Sequence, residues 1–355
     1  MHKVSFNNKN SKFYNELKQA VDNYFSAKQI KPTGNFKLYL KTFTLVPAAI
    51  IIYISLLVFN LPAIVAISLC ALLGFTIACI GFNVMHDACH GSYSSKKWVN
   101  NTLSLTMNAM GSNAFIWKIK HNVIHHTYTN IDGIDDDIAK MPVIRLCESQ
   151  PKLKMHKYQH YYALFAYCLA SVSWVLLTDF IKYFSMKIVE KPITNFSLSE
   201  HAIFWISKIL YVLFYIALPI YCVGVIKFLV GFAVMHAVMG IVLGIVFQLA
   251  HAVENTLFIE TPKAELKVEN EWAIHQVATT SNFATGNKFV SWFLGGLNFQ
   301  VEHHLFPRVS HIHYPALNAI LKDCCKRNNI TYNSYPTVIS AIASHFRYMK
   351  RLGNS

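Results

Sequence analysis

Apolar residues run in long unbroken stretches of this chain instead of alternating with polar ones. Between Thr42 and Met85 there is no Asp, Glu, Lys or Arg, and from Ala202 to Ala250 the only such residues are Lys208 and Lys227. Stretches of this kind have no polar face, so they are not the amphipathic helices of a soluble domain. They predict four membrane-spanning helices, at 42–59, 61–85, 202–226 and 228–250, within the range of about 17–25 residues that crosses a bilayer. Asn60-Leu61-Pro62 and the segment around Lys227 are very short connections, which pairs the four runs into two hairpins. The N-terminus, the stretch from His86 to His201 and everything after Ala250 then fall on one side. Tyr158 to Ile181 is a fifth apolar stretch, but it carries His160, Ser171, Ser173 and Asp179, and it reads as an interfacial helix at 158–181. Were it to span, the segments before Asn130 and after Ala250 would lie on opposite sides of the membrane.

Composition sharpens this picture. Of 355 residues 54% are hydrophobic and 14% charged, against about 25% charged in a soluble domain. A soluble enzyme and a disordered chain are both excluded, and no repeat is found at a solenoid period. The net charge of +14 could suggest nucleic acid, but basic residues flanking membrane helices on the cytoplasmic side explain it, and no nucleic-acid partner is expected. Lys227 is the one basic residue offered to the opposite side, so the large side is expected to be cytoplasmic. The eight cysteines form no C-x-x-C pair, which indicates neither a disulfide framework nor a thiolate metal site. The first apolar run starts near Thr42, too far in for a secretory signal peptide, and is expected to stay in the mature protein. The expected fold is an all-α, multi-pass integral membrane protein: four transmembrane helices in two hairpins under a helical cytoplasmic cap. Residues 1–41 are read as a cytoplasmic N-terminal segment, 42–321 as the membrane domain and 322–355 as a cytoplasmic C-terminal segment.

Eight of the 17 histidines form a pattern. His86 and His90 lie in H-D-A-C-H, His121, His125 and His126 in H-N-V-I-H-H, His251 in Q-L-A-H, and His303 and His304 in Q-V-E-H-H. Residues four apart on a helix share a face about 6 Å apart along the axis, close enough for both imidazoles to serve one metal or two neighbouring metals. His86 and His251 each stand where an apolar run ends on the same side. Imidazoles without thiolates suit iron, zinc, copper or nickel, and eight exceed what one ion can hold. The surplus over zinc's three or four ligands favours a dinuclear redox site, foremost di-iron. The Glu-x-x-His signature of carboxylate di-iron bundles and the H-E-x-x-H of metalloproteases are both absent.

G-F-N-V-M-H-D-A-C-H-G-S, W-K-I-K-H-N-V-I-H-H-T-Y-T-N and N-F-Q-V-E-H-H-L-F-P, in this order and with these apolar spans between them, resemble the histidine boxes of the membrane fatty acid desaturases. The resemblance covers roughly Phe36 to Leu321. Gln300 stands where many members have His, which is similar to the front-end branch that adds a double bond between an existing one and the carboxyl end. The resemblance implies a four-helix stem, a cytoplasmic cap, two iron ions, O2 as co-substrate and removal of two hydrogens from an acyl chain carried by CoA or a lipid. It implies His86, His90, His121, His125, His126, His251, His303 and His304 as metal ligands, with Gln300 at a further ligand position. The H-P-G-G of a fused haem domain is missing. Electrons are therefore expected from a separate b-type cytochrome, ferredoxin or flavoprotein reductase.

The chemistry asks the same of the chain. Unactivated C–H bonds need an oxidant that a metal cofactor supplies, while the protein aims it and keeps water out. Asp87, Glu254 and Glu302 are the expected acceptors of ligand-ring N–H groups. Asp132, Asp135, Asp136 and Asp137 are either further acceptors or a solvated loop. His236 is too far along its helix from His251 to share the metals and is expected to be a hydrogen-bond partner within the bundle. His275, His311 and His313 are not expected to be ligands. The lysines from Lys96 to Lys157 suit lipid head groups or a phosphate-bearing acyl carrier. Two alternatives carry the same boxes: an acyl or alkyl hydroxylase of the same iron chemistry, separated by its product, and a metal transporter, whose ligands would belong at mid-membrane.

Overall fold

The computed structural model describes residues 3–8, 11–139, 141–260 and 265–355. The protein is mostly helical. Among the described residues four helices are long and apolar enough to cross a membrane: Phe36–Val58, Ala63–His90, Leu198–Val223 and Val225–His251. Their ends differ from the charge-based boundaries for local reasons. The first helix starts at Phe36 because Asn35 caps it, its Oδ1 accepting the Lys37 N–H at 2.9 Å. Lys41, which the pattern placed outside, is 6% exposed, and its ammonium donates to Asn83 Oδ1, the Trp292 carbonyl and His311 Nε2 at 2.8, 3.1 and 2.9 Å. The second helix runs beyond Met85 through a π-helical turn, Gly81–Met85, to His90. The third and fourth helices break at Gly224, whose φ of +81° a Cβ-bearing residue resists, so Lys227 sits in the first turn of the fourth helix instead of in the connection.

The second and fourth helices carry the packing of the bundle. A Cβ on Gly74 would stand 2.2 Å from the Met235 carbonyl oxygen, and one on Gly240 2.3 Å from that of Tyr167. Small residues here let backbones approach as they do between membrane helices. Leu73, Ile77, Met235, Met239 and Val246 close the seam. Phe59 and Asn60 of the first connection border the same cavity as Cys222 and Lys227 beside the second, so both turns lie at one end of the bundle. The other ends of the second and fourth helices, His90 and His251, meet at the opposite end.

The helix expected at 158–181 is longer and bent: Lys154–Cys168 and Ala170–Ser185 meet at 59°. Its Ala163, Tyr167 and Ser171 are buried, and Tyr167 packs on Gly240 of the fourth long helix. The flanking segments join the same body. Lys12–Lys28 presents Phe13, Leu17, Val21 and Phe25, four apart, to a core shared with Val277, Phe299, Leu305 and Leu321. Val338–Asn354 buries Tyr348, Met349 and Leu352 against Ala163 and Tyr167, and Arg145 donates to the Leu352 carbonyl at 2.6 Å. Among the described residues two parallel pairings staple distant segments, Lys3–Phe6 with Glu265–Val268 and Asn282–Phe283 with Ser334–Tyr335, while Lys187–Ile188 and Lys191–Pro192 form a local antiparallel hairpin.

The glycine seam yields a direct expectation. Gly74→Val forces two backbones apart and should cost on the order of 1–3 kcal/mol or more, read as a lower unfolding midpoint in detergent. Gly286→Ala, with nothing within 4 Å of the added carbon, should stay near wild type.

Candidate metal centre

Four segments converge on one buried spot. The second long helix brings His86 and His90, and the fourth brings His251 at its last turn. Gln300–Leu305 brings His303 and His304. The remaining three follow the helix Ala114–Lys118: His121 and His125 ride on the π-helical Ile119–His125 and His126 opens His126–Tyr128. That π turn matters. In an α-helix, at about 100° per residue, position i+5 is turned roughly 140° away; in the i→i+5 bonded π-helix it returns to the same side. His121 and His126 accordingly face each other with their Nε2 atoms 3.3 Å apart. The three histidines of H-N-V-I-H-H therefore all point inward, which regular α-helical spacing would not give.

The side chains sort into two groups. The nitrogens of His86, His90, His121 and His303 lie within 4.8 Å of one another, and so do those of His125, His251 and His304. His126 stands between them, its ring centroid 4.8 Å from His90, 4.5 Å from His303 and 4.4 Å from His304. All eight are buried. Outer groups hold several rings by one nitrogen. His125 Nδ1 is 3.0 Å from Asp135 Oδ2, His304 Nδ1 2.9 Å from Gln276 Oε1, and His303 Nδ1 3.0 Å from the Tyr314 hydroxyl. His251 Nδ1 lies 3.4 Å from the Thr279 carbonyl. The other nitrogen of each of these four, together with His90 Nε2 and His126 Nδ1, is buried without a hydrogen-bond partner. One such atom costs roughly 1–3 kcal/mol, and the five on rings of the two groups have a physical account if cations take their lone pairs. The donor set fits metal ions: neutral nitrogens aimed inward, oriented from behind.

Protonation agrees. Burial, and then repulsion between neighbouring rings, pushes His121, His126, His303 and His304 well below the usual imidazole value. Neutral rings are what a metal requires. His125 is the exception: burial lowers it too, but Asp135 and Asp137 outweigh burial and its pKa rises. Asp137 also approaches His121 and His125, while its carboxylate takes Lys120 at 2.6 Å.

The carboxylates expected to orient rings lie elsewhere. Asp87 accepts from Ser310 Oγ at 2.7 Å and sits 3.1 Å from His311 Nδ1. Glu302, fully buried, accepts from Asn282 and Asn318 at 2.7 and 2.8 Å. Both fasten a histidine-bearing helix to its surroundings and bond no ring of the eight. Glu254 pairs with Arg347 at 2.7 Å near the surface. The ring-orienting acid is Asp135, one of the four loop candidates, and Gln276, Thr279 and Tyr314 were not signalled by any motif. Gln300 is 3% exposed and opens the helix that carries His303 and His304 at i+3 and i+4, so it shares their face. His236 bonds Ser171 Oγ and the Tyr211 hydroxyl at 2.9 and 2.8 Å, within the bundle as expected. His275 bonds the Thr129 carbonyl at 2.9 Å, and His313 Nε2 is 3.3 Å from that of Thr33.

A family model described as fatty acid desaturase matches residues 35–336. The chain is 36% identical over 349 residues to a protein of Synechocystis sp. named sn-1 linoleoyl-lipid 6-desaturase, covering 97% of this chain and 96% of that one. A protein of the same name from Arthrospira platensis is 34% identical over 99% of this chain and 95% of its own length. The acyl-lipid (8-3)-desaturase of Physcomitrium patens is 33% identical over 97% and 72%.

Removing the outer partners should separate affinity from fold. Asp135→Asn and Gln276→Leu are each expected to lower metal affinity about 10–100-fold, measured by chelator competition on folded protein. Glu254→Gln should leave it unchanged.

Proposed function

The chain belongs to the fatty acid desaturase family, and from that premise we propose that it inserts a cis double bond on the carboxyl side of an existing one, in an acyl chain esterified to a membrane lipid. That it is a desaturase of front-end type follows from its relatives; the lipid carrier is read from the names of the most similar ones. The observation that carries the mechanism is the set of eight buried imidazoles, seven with nitrogens in two close groups and His126 between them.

We assign His86, His90, His121, His125, His126, His251, His303 and His304 as ligands of two iron ions, with Gln300 on the same face as a weaker oxygen donor. Bound iron supplies the oxidising power with which O2 removes hydrogen from an unactivated C–H bond. The balance is one hydrogen from each of two adjacent carbons, one O2, two electrons and two protons, giving one double bond and two waters. A separate one-electron carrier supplies the electrons. The chain's own groups hold and orient: Asp135, Gln276, Tyr314 and the Thr279 carbonyl fix the ring tilts. Trp117, its ring 4.3 Å from that of His121, helps to wall off water.

The membrane arrangement is part of the reading. Because His121 to His126 and His251 to His304 meet, the bent helix at 154–185 enters and leaves on one side, and the two short turns lie on the other. The basic surplus makes the histidine side cytoplasmic. Residues 42–321 are then the catalytic domain and the flanking segments its cytoplasmic braces.

Purified protein should contain about two irons per chain; one zinc and no iron would overturn the cofactor assignment. Expression in a host fed defined unsaturated acids should yield products with a new cis bond toward the carboxyl end, whereas a hydroxylated product would favour the hydroxylase reading. Gln300→Ala should lose most turnover, and Gln300→His should keep iron with reduced activity.

A further inference from the structure

His345 is buried on the C-terminal helix Val338–Asn354, and none of the histidine motifs contains it. Unlike the rings of the metal centre, it has both nitrogens engaged. Nδ1 lies 2.7 Å from the Ala252 carbonyl and Nε2 2.8 Å from the Tyr167 hydroxyl. A carbonyl can only accept, so Nδ1 carries the hydrogen and donates, which leaves Nε2 to accept from the tyrosine. Burial pushes the pKa of this ring down to about 4, and it stays neutral in that arrangement. It has no lone pair left for a metal, so its partners define what it does.

Ala252 follows His251, where the fourth long helix ends. The last carbonyls of a helix have no partner inside it and must find one elsewhere. Here the Ala250 carbonyl takes the Ser281 N–H at 2.8 Å, that of His251 takes Asn130 Nδ2 at 2.9 Å and Thr256 Oγ1 at 2.8 Å, and that of Ala252 takes His345. Backbone support matters at this point because the ring itself is held least. The 3.4 Å from His251 Nδ1 to the Thr279 carbonyl is longer than the anchors of His125, His303 and His304, at 3.0, 3.0 and 2.9 Å. His251 also belongs to the smaller group, so a small turn of its backbone withdraws one of only three rings.

The same stretch of the C-terminal helix grips the residues that come next. Ser344 Oγ accepts the Glu254 N–H at 3.1 Å, and Arg347 pairs with the Glu254 carboxylate, an exposed contact that contributes little. On the other side of His345, Tyr167 packs on Gly240 and Gly244 of the fourth long helix. One buried ring thus ties three helices together a single residue from His251.

We propose that His345 is a positioning residue of the metal centre: by holding the Ala252 carbonyl it sets the backbone from which His251 reaches the three-histidine group, so that retention of metal in that group depends on the C-terminal helix. The four-histidine group draws its support from Asp87, Glu302 and Tyr314, on other elements. The inference rests on the metal reading and adds to it a support that lies beyond residues 35–336, the stretch that the family model matches.

Full-length protein in detergent, loaded with ferrous iron, would be challenged with rising concentrations of a ferrous chelator. His345→Leu leaves the Ala252 carbonyl unpaired and should release one of two irons at about tenfold lower chelator than wild type, with the other held as before. An asparagine amide takes the place of Nδ1 and a glutamine amide that of Nε2, so His345→Asn should restore retention and His345→Gln should not. Weaker packing alone would not tell these two apart. Metal-free protein supplies a readout independent of iron: amide hydrogen exchange over residues 249–256 should rise about tenfold in the Leu and Gln variants, with residues 84–92 unchanged. If His345→Leu does not accumulate, the Asn and Gln variants carry the test. Parallel loss of both irons, an equal rise of exchange in the two segments, or an Asn variant no better than Gln would overturn the proposal. A wild type that binds zinc and no iron would instead overturn the cofactor assignment, and exchange in the metal-free protein would still decide the part played by His345.

Discussion

Five buried imidazole nitrogens without hydrogen-bond partners, on the rings of the two close histidine groups, are a cost the rest of this fold is arranged to hold in place. Left alone, such rings would turn toward any available carbonyl or water. They do not, because four of them are anchored by the opposite nitrogen and because the segments that carry them are fastened from several directions. The anchors are of mixed chemistry, one carboxylate, one amide, one phenol and one backbone carbonyl. Each ring is thus oriented without gathering a set of negative charges around the site.

Fastening begins inside the bundle. Lys208 and Asp179 form a buried ion pair at 2.9 Å, and the same ammonium donates to the Gly111 and Val175 carbonyls. Asp179 accepts the Asn113 N–H at 2.9 Å, and Asn113 Oδ1 caps the helix that leads to His121 by accepting from the Ile116 N–H. Removing either charge would strand the other in an apolar setting, a severe loss, so the pair locks the start of the second histidine segment to the third long helix. Asp87 and Glu302 play the corresponding part for the first and third segments. On the outer side the amphipathic helix Lys12–Lys28 closes over the core behind His303 and His304.

Which of this could be read from the chain follows from the range of the forces involved. The four long helices were legible because the absence of charge over some twenty residues is a local property that a bilayer alone rewards. That the histidine motifs would come together was legible from the i, i+4 spacing in H-D-A-C-H and H-N-V-I-H-H and from His86 and His251 standing where apolar runs end. Boundaries failed where a tertiary partner changed the meaning of a residue: Lys41 looked like a surface charge until Asn83 and His311 surrounded it, and Gly224 ended a helix that Lys227 was expected to end. Asp135 could not be told from Asp132, Asp136 or Asp137, since only the path of the loop decides which one reaches His125. Glu254 stood three residues from His251, yet sequence proximity did not bring it to the ring, and Arg347 holds it instead. The π-helical turn at Ile119–His125 left no trace in composition, although H-x-x-x-H-H already asked for three inward faces that an α-helix cannot supply.

The charge inventory explains how a site of this kind suits its reaction. The eight imidazoles bring no negative charge, and the nearby acids are largely balanced among themselves: Asp137 by Lys120 at 2.6 Å, Asp136 by Lys182 at 2.5 Å. Asp135 faces a ring directly, from behind His125 at 3.0 Å. Cations held by these nitrogens would keep most of their charge in a setting where electrostatic effects are stronger than in water. Cations held there would supply oxidising power toward unactivated C–H bonds, and they would equally attract water and anions. The apolar layer of Met85, Met107, Met110 and Trp117 on its membrane side answers that problem, because it admits a hydrocarbon chain at small cost and a hydrated ion only at a large one.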